Sequence, residues 1–149
     1  MQLNKFTDYA LRSLMYISRP RNTPYTIAEI AVDLQISHNH LVKIVHFMGK
    51  QGWLITLRGK GGGIQLNPQA LDSRVGDIVR ILQGDQPIVE CNSPPCVLRS
   101  DCGLKGILDT AVEQFYQSLN QYTLGQVLNI QPVQPHLSTH SAITLLNLS

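Results

Sequence analysis

Cys91, Cys96 and Cys102 are the only cysteines of a 149-residue chain, and all three stand in one short stretch, "CNSPPCVLRSDC". Four residues separate the first pair and five the second. Thiolates on one loop can converge on a single soft-metal centre, and two chemistries use them this way: zinc and an iron–sulfur cluster. A closed structural zinc site usually takes closely spaced ligand pairs completed by a fourth Cys or His. Here there is no fourth cysteine, and no histidine lies between His46 and His136. Three thiolates with a fourth position filled from elsewhere, or left open, suit a reactive cluster better than a closed staple. Pairing any two thiols would strand the third, which argues against a disulfide. Pro94 and Pro95 stiffen the loop and limit the freedom lost when a ligand is bound.

The rest of the chain must position this loop, and its composition is that of an ordinary globular domain: 43% hydrophobic residues and a mean hydropathy of −0.03. Nothing approaches the roughly 18–20 apolar residues needed to cross a bilayer. The first residues, "MQLNKFTDYALRSLMYISRPR", place Asp8 inside an apolar periodicity and lack a small-residue cleavage site, so they do not read as a secretory signal. A cytoplasmic location is expected, where cysteines serve more often as ligands or redox groups than as bridges. The net charge of +2 hides an asymmetry. Residues 1–63 hold eight Lys/Arg against three acidic residues, and residues 64–149 hold four against seven. A balance of +5 in front and −3 behind suggests that the front half meets an anion.

Helical spacing begins with Leu3, Phe6, Ala10, Leu14 and Ile17, and Pro20 and Pro24 end that segment. In "TIAEIAVDLQI", Thr26 and Glu29 form a capping-box pair ahead of a second helix. Ser37 is the expected N-cap of a third, whose stripe is Leu41, Ile44, Val45 and Met48, and Gly52 ends it. Two closely joined helices make a helix-turn-helix. "WLITL" and "IQL" then read as strands around the turn "RGKGGG", a two-stranded wing. The expected fold is mostly α with a small β wing: a winged helix-turn-helix over 1–67, a connecting helix in 68–90 and a cysteine loop at 91–102. A long dimerisation helix over 103–130 follows, and a flexible tail over 131–149. The stripe Leu104, Ile107, Leu108, Ala111, Val112, Phe115, Leu119 and Tyr122 needs a cover, and a twin helix from a second chain is the economical one.

A recognition helix lies in the major groove with its N-terminal residues at the base edges. Those positions hold Ser37, His38, Asn39 and His40, with Lys43 a turn later. Lys43, Arg58 and Lys60 suit phosphates or a narrow minor groove. Gly61 and Gly62 let the wing backbone approach a duplex without a Cβ in the way. "RGKGGG" lacks the spacing and Lys-Ser/Thr ending of a nucleotide-phosphate loop. No C-x-x-C pair, cofactor fingerprint or nucleophile–base constellation points to an enzyme. A redox protein or a zinc-stapled interaction module remains the rival reading.

Taken together, "FTDYALRSLMY", "SHNHLVKIV", "RGKGGGIQL", "GDIVR", the three spaced cysteines and "YTLGQVL" resemble the iron–sulfur winged-helix repressors, over roughly residues 1–130. The likeness is strongest to the nitric-oxide-sensing members of that family. It implies a homodimer on palindromic operator DNA, with one iron–sulfur cluster per subunit on Cys91, Cys96 and Cys102, 4Fe–4S favoured over 2Fe–2S. It further implies that Asp8 of the partner subunit supplies the fourth ligand. Read from the residues alone, Asp8 can equally favour the N-terminus of its helix or pair with Arg12 one turn on. Sensing of iron or cluster status is the alternative within the same family.

Overall fold

The computed structural model describes residues 2–84 and 87–129. Helix α1 (Lys5–Ile17) is opened by Asn4, whose side chain accepts from the Thr7 N–H at 2.7 Å. Helix α2 (Ile27–Asp33) starts on the expected capping box, with both the Thr26 and the Glu29 side chain bonded to backbone amides. Helix α3 (His38–Lys50) is capped by Ser37 and buries Leu41, Ile44, Val45 and Met48. Strands β1 (Leu54–Leu57) and β2 (Gly63–Leu66) pair antiparallel with Leu54 opposite Leu66 and Leu57 opposite Gly63. On the far side of β2, Tyr25 and Ile64 exchange backbone bonds of 2.9 and 2.7 Å. That bridge roots the wing in the loop between α1 and α2. Ala10, Leu14, Ile30, Leu41, Ile44, Met48 and Ile78 are among the side chains at the centre of the core.

Beyond a 3-10 turn (Pro68–Asp72), helix α4 (Val75–Gln83) buries Ile78, Val79 and Leu82. It therefore occupies only part of the 68–90 connecting segment. Its far end is clasped to the start of α1: the Gln83 side-chain oxygen accepts from the Asn4 N–H at 3.1 Å and the Thr7 hydroxyl at 2.7 Å. Helix α5 (Gly103–Leu119) crosses α4 at Gly76, where a side chain would collide with the Tyr116 carbonyl oxygen. Arg80 lies over the Tyr116 ring, 4.2 Å from its centre, and its guanidinium pairs with Glu113 at 2.6 Å. That hydrogen bond and charge hold the Glu113 carboxyl below its ordinary range.

The single helix expected over 103–130 is two. α5 stops at Leu119, and α6 (Leu124–Asn129) follows after a turn. The break has a local cause. Asn120 accepts from the Asp77 N–H at 2.9 Å and donates to the Asp77 carboxylate at 2.8 Å, and the Val75 N–H bonds the Tyr122 carbonyl at 3.0 Å. Thr123 and Gln126 then form a capping box of their own. The apolar periodicity runs through this turn, so it masks the T-x-x-Q start signal that the sequence carries. Ile130 and the expected tail, 131–149, lie outside the described residues.

Candidate functional site

The first turn of α3 presents His38, Asn39 and His40 to solvent, with Ser37 occupied as the cap that accepts from the His40 N–H at 3.3 Å. Positions three and four apart share a helix face. His38 and Asn39 therefore line up with Val42 and Lys43, both exposed. His40 turns toward α1 and meets the Tyr9 ring edge-on at 6.2 Å between centres. The polar signature that marks the neighbouring positions passes over Val42, whose exposed methyls suit a thymine methyl in the groove.

At the wing tip, Arg58 and Lys60 are exposed and join no ion pair among the described residues. Gly59 and Gly61 hold φ values of 96° and 79°, a left-handed region that a side chain disfavours. The Gly62 N–H bonds the Gly59 carbonyl at 3.0 Å, and a Cβ on Gly62 would strike the Leu57 carbonyl. The turn is thus fixed by its glycines and holds two cations clear of the domain. Lys60→Ala is expected to weaken binding to duplexes of any sequence and to lower the slope of log affinity against log salt by about one. Salt-dependent fluorescence anisotropy on specific and scrambled duplexes checks this.

The three cysteines lie at half-buried positions between α4 and α5, and none is in a disulfide. The Cys96 N–H bonds the Cys91 carbonyl at 3.1 Å, closing the "CNSPPC" turn, and Cys102 stands at the N-cap position of α5 without a side-chain bond to the helix. Glu90 accepts from the Asn92 and Ser93 N–H groups at 2.8 and 3.1 Å. Lys105, in the first turn of α5, is held above the ordinary lysine range, mainly by Asp109 and in part by the neighbouring Cys91. The donor set fits an iron–sulfur cluster in its chemistry: soft, unoxidised thiols on one accessible loop. It is not preassembled. Among the described residues, no three Cys, His, Asp or Glu side chains are gathered closely enough to hold a metal ion. Asp8 keeps company with Arg12, which donates to both its oxygens at 2.9 Å, and not with the thiols of its own chain.

Near the loop, apolar surface is bare. Val97 is 94% exposed and Leu98 65%; on α5, Leu104 is 61% and Ile107 67% exposed. Only Tyr116 of this helix is buried.

A helix-turn-helix with an exposed polar first turn, a cationic wing beside it and an uncovered trailing helix together define a winged-helix DNA-binding regulator. Residues 3–130 match the Rrf2 family, described as an iron-dependent transcriptional regulator. The chain belongs to that family. It is 36% identical over 128 residues to the HTH-type transcriptional regulator NsrR of Shouchella clausii, covering 83% of this chain and 86% of that one. Among solved structures, Staphylococcus aureus CymR superposes with a TM-score of 0.68 at 21% identity, over 87% of this chain and 99% of that one. The IscR of T. potens superposes with a TM-score of 0.64 at 20% identity, over 86% of each. These two likenesses carry the fold.

Proposed function

We propose that this chain is a homodimeric repressor of palindromic operators that senses nitric oxide through an iron–sulfur cluster held by Cys91, Cys96 and Cys102. The observation that carries the reading is the placement of three free, half-buried thiols at the head of α5, the helix whose apolar face is left uncovered. A twin α5 covers that face by two-fold symmetry. The NsrR likeness supports nitric oxide as the signal, and a cytoplasmic regulator is the setting it implies. The cluster, when bound, supplies iron open to attack by a small diatomic.

What the chain itself does is position. α4 is locked to α5 through Gly76, Arg80 and Asn120, and its end is locked to α1 through Gln83. A change at the loop therefore reaches the head through packed helices. Two recognition helices grip an operator when they sit about 34 Å apart, or a multiple of that. A coupling of about 3 kcal/mol between loop and spacing alters affinity more than a hundredfold. Asp8 of the partner subunit is the proposed fourth ligand, for which it must exchange its Arg12 pair. Exposed pairs of this kind are worth about 0.3–0.5 kcal/mol, a small obstacle.

The test is an anaerobic nitric oxide titration of reconstituted protein, following visible absorption and operator binding together. Absorption that bleaches in step with release of DNA supports the reading. Release driven by iron or sulfide depletion, with indifference to nitric oxide, selects the cluster-status alternative. Asp8→Ala is expected to leave folding intact while shifting the titration or shortening cluster lifetime. An identical spectrum and identical titration in that variant remove Asp8 from the ligand set.

A further inference from the structure

We infer that Val42, in the second turn of α3, selects a thymine in the operator by packing its methyl groups against the C5-methyl of that base. The inference rests on α3 being the helix that enters the major groove, and it adds the base that one position of this helix requires. Seven residues of α3 are exposed, and six of them are polar or charged. Val42, 39% exposed, is the seventh. Its place on the helix is central. His38 lies four residues before it and His46 four after, each about 40° round the axis. The valine therefore stands midway between two imidazoles on one ridge, with Asn39 and Lys43 flanking that ridge on one side. The same face stays open further along: a Cβ on Gly49, seven residues on, would meet nothing within 4 Å.

The chemistry of the base edges then decides the partner. In the major groove the one methyl that a base pair presents is that of thymine, and the rest of the pattern consists of donors and acceptors. Valine offers those groups no hydrogen bond. A guanine or adenine set against it would leave N7, and O6 or N6, facing methyl groups with water excluded, which is unfavourable. Branching at Cβ confines a helical valine to one strongly preferred χ1 rotamer. Its methyls thus keep a fixed place over the groove, and little freedom is lost on contact. Solitary exposed apolar residues are common on protein surfaces. What singles this one out is its setting, a lone apolar side chain among polar ones in the middle of the face that reads bases.

The test uses anaerobically reconstituted full-length protein and a duplex that it enriches from a random library. Each thymine of that duplex is replaced in turn by deoxyuridine, which keeps the base pair and removes only the methyl. Replacement at one thymine per recognition helix is expected to weaken binding about fourfold, equivalent to roughly 0.8 kcal/mol for one buried methylene-sized group. Val42→Ala is expected to bind the thymine and deoxyuridine duplexes at that position equally, while replacements elsewhere act on it as on wild type. Val42→Thr, which keeps one of the two methyls, is expected to retain an intermediate preference. Two results overturn the inference while the DNA-reading role stands: an enriched duplex indifferent to the loss of every thymine methyl, or a thymine preference undiminished in Val42→Ala. A protein that enriches no duplex overturns the DNA-reading role itself, and this inference falls with it.

Discussion

Cys91→Ala, Cys96→Ala and Cys102→Ala are each expected to give colourless protein with less than about a tenth of the wild-type iron and sulfide after anaerobic reconstitution. In the proposed site each thiol is the sole donor at its cluster corner, and a methyl group cannot replace it as a ligand to iron. The head should survive intact. All three cysteines lie outside the buried core, and none is cross-linked. Changes at such positions usually shift stability by no more than about 0.5 kcal/mol. Circular dichroism, iron and sulfide analysis and operator binding on the same samples separate loss of cluster from loss of fold. Operator affinity that no longer responds to nitric oxide, in a normally folded dimer, is the functional counterpart. A zinc-stapled loop would give the opposite pattern: colourless wild type, and cysteine variants that lose structure along with metal.

The second large effect is structural. Gly76→Ala is expected to destabilise the protein by about 3 kcal/mol, the upper end of the cost of overpacking, and to lower its melting temperature by about 10 °C. The added methyl would fall inside the Tyr116 carbonyl and within 2.8 Å of Asn120 Cγ. The carbonyl belongs to the body of α5, and Asn120 is already committed to Asp77. Neither can retreat without parting the two helices. Gly49→Ala is the matched control. It too lies inside a helix, but its Cβ meets nothing within 4 Å, so alanine there should stabilise by up to about 1 kcal/mol through helix propensity. Differential scanning calorimetry of the two variants beside wild type reads both signs.

Much of the head was legible because its signals are local. Thr26 with Glu29 and Ser37 before His38 are caps written in a few consecutive residues, and each capped helix begins where they place it. The stripes of α1 and α3 and the glycine turn of the wing follow from the same short range. What escaped is held by partners far apart in the chain. Gln83 bonds Asn4 and Thr7 across more than seventy residues, and Asn120 bonds Asp77 across forty-three. No periodicity encodes such pairs, so neither the clasp nor the break before α6 could be read from hydropathy. Tyr25, the third partner of the wing sheet, was hidden for the same reason. The cysteines were legible as a chemical set, but among the described residues they are not gathered into one metal-holding group.

The clasp at Gln83 also separates the bonded helical frame from the cysteine loop that follows it. Up to that residue the chain is riveted to the first turn of the DNA-reading unit; beyond the cysteine loop, Tyr116 and Asn120 rivet it to α4 at Gly76 and Asp77. The insert between the two rivets can change its length or its donor atoms while both sets of bonds persist, and under the proposed function its stimulus still reaches the head through α4. One scaffold of this kind can thus be refitted with different detectors while its DNA-reading unit keeps the same form.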